Sequence, residues 1–306
     1  MKKMIRKLFG LTLALILVFS LSACGGSSTQ KPITDDESTQ TSTVDQSTTQ
    51  ESESTAETTA VTIENTVLLD QDGLIITAKE LVDDSIWGMG VKVLIENNTE
   101  ENLGVQCNSL IVNNYMITDL FSCSVAAGKK ANDTIYLSSS GLEAAGITTI
   151  SDIVISFHVY DSDTYDTLFD TDEIELKTSA YGTVEQPVMD DGKELYNQDG
   201  IRIVGKYVDE NSFWGAGVLL FIENNYGENI TVQCDNMSIN GFMVTPYFSC
   251  AVNNGRMALD DITIMSSDLE ENDITSVDDI ELVFKIFNPD TYQTIVETDP
   301  ITFSTK

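Results

Sequence analysis

The sequence predicts an all-β protein, built as two tandem β-sandwich domains behind a short leader and a Ser/Thr-rich segment. Three observations carry this prediction. The phrase "IWGMGVKVLIENN" at 86–98 returns as "FWGAGVLLFIENN" at 213–225, and the match runs without a gap from 68–178 onto 195–305. Ile153, Ile155, Phe157 and Val159 share one parity, and Ile280, Leu282, Phe284 and Ile286 take the same places in the second copy. Such alternation is the period of a half-buried strand. Turn signals also recur at short spacing: Asn240-Gly241 between "MSI" and "FMV" marks a hairpin, and Asn113-Asn114 is its counterpart.

In the first copy, strands are expected near 73–82, 88–97, 103–112, 115–125, 131–138, 151–160 and 166–177, with a short helical turn at "GLEAAGI". "VKVLIEN" and "VLLFIEN" are apolar on both faces, as in a central strand, and the Asn-rich stretches after them read as turns. About seven short strands per copy predict an immunoglobulin-like β-sandwich. Residues 62–178 and 194–306 are the two domains, and the Pro- and Gly-containing stretch 179–193 connects them.

Residues 1–23 read as an export signal. Lys2, Lys3, Arg6 and Lys7 precede an apolar stretch, Leu8 to Leu21, too short to span a membrane comfortably. The stretch ends in Leu21-Ser22-Ala23-Cys24 before Gly25, which resembles the lipobox of bacterial lipoproteins. That resemblance implies a diacylglyceryl group on Cys24, cleavage before it, and a chain anchored to the outer face of a bacterial cell membrane without spanning it. Residues 24–61 then form a Ser-, Thr- and acid-rich linker with no aromatic residue, too polar to fold and suited to a stalk.

The chain carries net charge -33, and removal of the leader's four positive charges takes it to -37. Such a surface repels nucleic acid. After Cys24 each copy holds one C-x15-C pair, Cys107 with Cys123 and Cys234 with Cys250. An even count in an exported chain predicts disulfides within each pair, each worth about 3 kcal/mol. Zinc is the alternative, but there is no Cys-x2-Cys and a single His. The apolar phase slips between Cys107 and Leu110, which predicts a bulge. The bridge then joins either neighbouring strands or the two sheets.

No catalytic constellation emerges. His158 lies opposite the apolar face of its strand and is replaced by Lys285 in the second copy, which predicts exposure without a catalytic or metal role. Asp161, Asp163, Asp166, Asp170 and Asp172 supply hard oxygen ligands for calcium. They lack EF-hand spacing, and the second copy keeps only Asp290, Glu297 and Asp299. The shared "DTY" therefore reads as turn chemistry. Trp87 and Trp214 share parity with Val91 and Val93, and with Val218 and Leu220, and are expected in the core rather than as sugar-stacking platforms.

Lipobox, stalk and repeats carrying "IEN" before an Asn turn are similar to uncharacterised Gram-positive surface lipoproteins with tandem domains of the DUF4352 type. That resemblance implies an exported sandwich and supplies no catalytic residue. The expected function is a noncatalytic, membrane-anchored binding or spacer module for an extracellular protein or cell-wall polymer, without cofactor. The alternatives are a solute-binding lipoprotein of a transport system and a calcium-binding adhesin. Binding is expected on end loops, where Asp119-Leu120 becomes Pro246-Tyr247 and Lys129-Lys130 becomes Arg256-Met257.

Overall fold

The computed structural model describes residues 30–33 and 60–305. The leader, Cys24 and most of the Ser/Thr-rich segment lie outside the described residues. An early strand, β1 (Gln30–Pro32), comes from that segment, so these residues depart from the disorder their composition predicts. The first repeat then supplies β2 (Thr66–Gln71), β3 (Leu74–Asp84), β4 (Gly88–Asn97), β5 (Leu103–Val112), β6 (Tyr115–Met116), β7 (Ser122–Val125) and β8 (Lys130–Tyr136). A one-turn helix α1 (Ser139–Ala144) precedes β9 (Asp152–Asp161), β10 (Thr167–Asp170) and β11 (Ile174–Lys177).

The second repeat follows the same succession. It runs through β12 (Lys193–Gln198), β13 (Ile201–Ser212), β14 (Gly215–Asn224), β15 (Ile230–Ile239), β16 (Phe242–Val244), β17 (Pro246–Tyr247), β18 (Ser249–Val252) and β19 (Arg256–Met265). Helix α2 (Ser266–Glu271), β20 (Asp279–Phe287), β21 (Thr294–Glu297) and β22 (Ile301–Ser304) complete it. The expected strands are present except that 115–125 divides into β6 and β7 and 166–177 into β10 and β11; β2 and β12 are additional. Both helices are six residues long, so the alternating helices of a two-lobed α/β receptor are missing among the described residues.

Each repeat contributes strands to two sheets. In the first, β2, β3, β4 and β8 form one sheet in that order; β5 and β9 centre the other, with β6 and β7 outside β5 and β10 and β11 outside β9. Val91, Val93 and Ile95 of one sheet and Val105, Ile155 and Phe157 of the other belong to one buried cluster. The second repeat sets β12, β13, β14 and β19 against β15 and β20, closing over Val218, Leu220, Ile222, Val232, Phe284 and Ile286. The expected hairpins form, with Asn113, Asn114, Asn240 and Gly241 all at positive φ. The expected bulge forms as a register shift at Cys107/Ser109, and the second repeat has a counterpart at Cys234/Asn236.

A seam joins the repeats. β6 pairs with β19 in parallel at Tyr115 and Met257, so one sheet of each repeat continues into the other. Val204, Phe221 and Met257 of the second repeat belong to the first repeat's apolar cluster. That explains why β14 is apolar on both faces while β4 carries Lys92, which pairs with Glu80 in solvent. The connector is stitched down. Tyr115 Oη donates to Pro187 O at 3.1 Å and accepts from Met189 N at 2.8 Å. Lys206 Nζ donates to Met189 O at 2.7 Å and to Asp191 O at 3.1 Å. The divergence at Lys129-Lys130 and Arg256-Met257 has a physical cause here: the second pair lies in the seam. Arg256 Nη1 donates to Asn114 Oδ1 at 2.9 Å, and its Nη2 pairs with Glu173.

Candidate functional site

The repeated Trp-Gly-x-Gly phrase builds a hairpin tip in each repeat. Ser85–Trp87 turns the chain between β3 and β4, and Phe213 and Trp214 do so between β13 and β14. Neither Trp belongs to the core: Ile86 is 82% exposed and Trp87 58%, Phe213 80% and Trp214 45%. Trp87 precedes the first residue of β4, and side-chain alternation holds only within a strand, so the indole is not bound to the inward face. Gly88, at φ +76, starts the new strand, and a Cβ there would stand 2.4 Å from Ser139 Oγ. The glycine therefore serves the turn and its neighbour rather than a buried indole.

Each tip is held in its own way. The Asp84 carboxylate accepts from Ile86 N at 2.8 Å and Trp87 N at 2.9 Å, and these amides hold its pKa below the ordinary carboxylate value. The Trp87 ring leans on Tyr136, with centroids 6.0 Å apart. In the second repeat the Phe213 and Trp214 rings stand near perpendicular with centroids 4.8 Å apart, and Ser266 N donates to Trp214 O at 2.7 Å. Leu120 and Tyr247, at the divergent positions, are both exposed, but Tyr247 lies in β17 against β19 rather than in the end loop expected for it. Two adjacent large apolar residues therefore stand in water at the same hairpin of both copies.

Below the tips, the Asn of "IEN" is a buried clamp rather than a plain turn residue. Asn97 Nδ2 donates to Glu101 O at 2.8 Å and Val125 O at 2.9 Å, and its Oδ1 accepts from Thr99 N and Oγ1. Asn224 repeats this with Glu228 O, Val252 O and Tyr226 N. The available signal was parity, because Val91, Val93, Ile95 and Asn97 all point inward.

Among the described residues Cys107, Cys123, Cys234 and Cys250 are free thiols, so the expected disulfides are not formed. The register gives the reason. Cys123 lies opposite Val105 and Cys250 opposite Val232, so each partner cysteine sits two residues along, on the diagonal. Diagonal neighbours are roughly 7–8 Å apart, beyond the ~7 Å Cα limit for a bridge without backbone movement. Burial pushes the Cys123 thiol up to about 11 and Cys234 up to about 12, and raises Cys107 and Cys250 as well. Such thiols are poor nucleophiles at neutral pH. Burial also pushes the Asp260 carboxyl, beside Cys250, up to about 6.

His158 is half-buried and its Nδ1 lies 2.6 Å from Asp170 Oδ1. Asp161 Oδ1 accepts from Asp163 N and Thr164 N, and Asn288 does the same for Asp290 and Thr291. The shared "DTY" is turn chemistry, with Tyr165 and Tyr292 both at positive φ. Among the described residues no three His, Cys, Asp or Glu side chains converge to hold a metal, and no helix is long and apolar enough to cross a membrane.

No family model and no characterised protein sequence matches the chain. Among solved structures, the Salmonella enterica SafA pilin in complex with the SafB chaperone aligns at 10% identity and a TM-score of 0.21. It covers 70% of this chain and 88% of that one. The YadV chaperone aligns at 14% identity and a TM-score of 0.24, covering 74% and 98%. Scores this low carry no argument about function.

Proposed function

We propose that the chain is a noncatalytic binding module, lipid-anchored through Cys24 on the outer face of a bacterial membrane, whose contact points are the two hairpin tips. The observation that carries this reading is the exposure of Ile86 with Trp87 and of Phe213 with Trp214. Exposing large apolar side chains side by side has a solvation cost, and such patches mark interaction sites. Trp is the side chain most often found as an interface anchor, because it combines area with few rotors. The partner is an extracellular protein or a cell-wall polymer.

Each repeat reads as an immunoglobulin-like domain. The chain changes sheets after β4, β7 and β8, so that β8 pairs with β4 and β9 with β5, the Greek-key connections of that architecture. It is a scaffold that presents loops at its ends, and it brings no chemistry of its own. The test is capture of the chain from Gly25 onward by purified cell walls and by intact cells. Saturable retention is expected for the native chain and loss for the double variant W87A/W214A. Equal retention of both proteins rules out the tips as the contact surface.

A further inference from the structure

β1 lies against the second repeat. Gln30, Lys31 and Pro32 run antiparallel to β13, opposite Asp209, Val208 and Tyr207, and Ile33 N donates to Lys206 O at 3.1 Å. The Ile33 side chain is fully buried in the second repeat's apolar cluster. Gly205 makes the room for it: a Cβ there would stand 3.0 Å from Ile33 Cδ1 and 3.1 Å from Leu195 Cδ1. Lys31 Nζ donates to Glu210 Oε1 at 2.8 Å and lies 3.8 Å from Asp278 Oδ1. A free backbone edge, an apolar slot and an acidic pair together recognise an extended segment by strand addition. The corresponding edge of β3 keeps one acid, Asp83 in the place of Glu210, but not the slot or the acidic pair. Ala78 stands where Gly205 does, and Ser151 where Asp278 does.

We propose that this edge of β13 is a strand-acceptor site whose resident is the chain's own segment 30–33, and that its docking straps the second repeat to the membrane anchor. The strap rests on the reading of Cys24 as the lipidated residue; the acceptor site does not. Six residue steps separate Cys24 from Gln30, and fully extended they reach about 20 Å. The C-terminal repeat is thus the one held beside the bilayer. Residues 34–59 then add nothing to the distance between anchor and second repeat, and the stalk works as a spacer only when the strand is released.

Hydrogen exchange on the chain from Gly25 onward tests the site without any lipid. The Ile33 amide is expected to exchange ~10-fold or more slowly than in Ile33→Asp. Lys31→Glu, a partly exposed change that leaves the core untouched, is expected to speed exchange at residues 31–33 while the first repeat keeps its pattern. Exchange at residues 31–33 as fast in the native chain as in Ile33→Asp overturns the acceptor site. The strap is tested with the full lipid-modified chain in phosphatidylglycerol vesicles, with a fluorophore at exposed Asn211 and a headgroup quencher. Quenching that falls in Ile33→Asp supports it. Equal quenching in both proteins overturns the strap, and a chain that never acquires lipid removes the anchor and the strap while the exchange result still decides the site.

Discussion

Asn224→Ala is expected to destabilise the second repeat by about 3–5 kcal/mol, far more than its exposed neighbour Asn225→Ala. The Asn224 side chain is buried and makes three hydrogen bonds, donating to Val252 O at 2.8 Å and Glu228 O at 2.9 Å and accepting from Tyr226 N at 3.0 Å. The Val252 carbonyl is buried, so losing its partner costs the desolvation of an unsatisfied acceptor, ~1–3 kcal/mol; the other two bonds are worth ~1 kcal/mol each. Asn225 makes one exposed bond to Glu223, and its removal is expected to stay within about 0.5 kcal/mol. Urea unfolding at neutral pH reads the difference. With m near 1–3 kcal/mol/M, the Asn224→Ala midpoint should fall by ~1–5 M at unchanged m. Asn97→Ala, with the same bonding in the first repeat, should behave alike. Asn224→Ala and Asn225→Ala unfolding within 0.5 kcal/mol of each other would refute the clamp.

Two further outcomes follow from the buried ionisable groups. Asp260, raised to about 6 by burial, binds its proton more tightly in the folded than in the unfolded chain. Its stabilising contribution is therefore full below about pH 4 and is lost as pH rises through about 6. Asp260→Asn should match the native chain near pH 4 and exceed it by up to ~3 kcal/mol at pH 7, and a difference independent of pH contradicts this. Cys107, Cys123, Cys234 and Cys250, all raised by burial, should resist iodoacetamide at pH 8 and react together once urea unfolds the chain. An intact mass lower by two hydrogens per pair contradicts the free thiols.

The strands, their bulges and both Asn hairpins were legible because each is a local signal, a two-residue period or a side chain that tolerates positive φ. Parity does not extend to the tips. Trp87 lies a single residue outside β4, and boundaries are where parity loses its meaning. Asn97 and Asn224 carried the right parity, but an amide at an inward position is legible as a clamp only once the carbonyls of Val125 and Val252 are seen to face it. The disulfides depend on a diagonal offset that spacing along the chain does not encode. Tyr115, Arg256 and β1 act across large sequence separations, and no local pattern reports such contacts. What the divergence between copies did report was position: Arg256-Met257 differs from Lys129-Lys130 because one edge is covered and the other faces water.

The seam decides whether the tips act singly or together. Repeats joined by a loose connector would offer two sites at the effective concentration of a flexible tether. Here Arg256 bridges to Asn114 and Glu173, Met257 N donates to Asn114 O at 3.0 Å, and Tyr115 is buried between the repeats. On the proposed reading a fixed pair of tips engages an extended partner at little further entropic cost, so the native chain should exceed either single variant, W87A or W214A, by ~10²–10⁴ in apparent affinity. Arg256→Ala leaves both tips untouched and removes its two bridges across the seam, to Asn114 and Glu173, while Asn253 Nδ2 still donates to Glu173 Oε1. It should speed exchange at the Met257 amide and bring retention on cell walls down toward the single-tip value. If W87A instead halves capacity at unchanged affinity, the tips bind independently. The seam then serves stability alone, because avidity requires both tips on one partner at once.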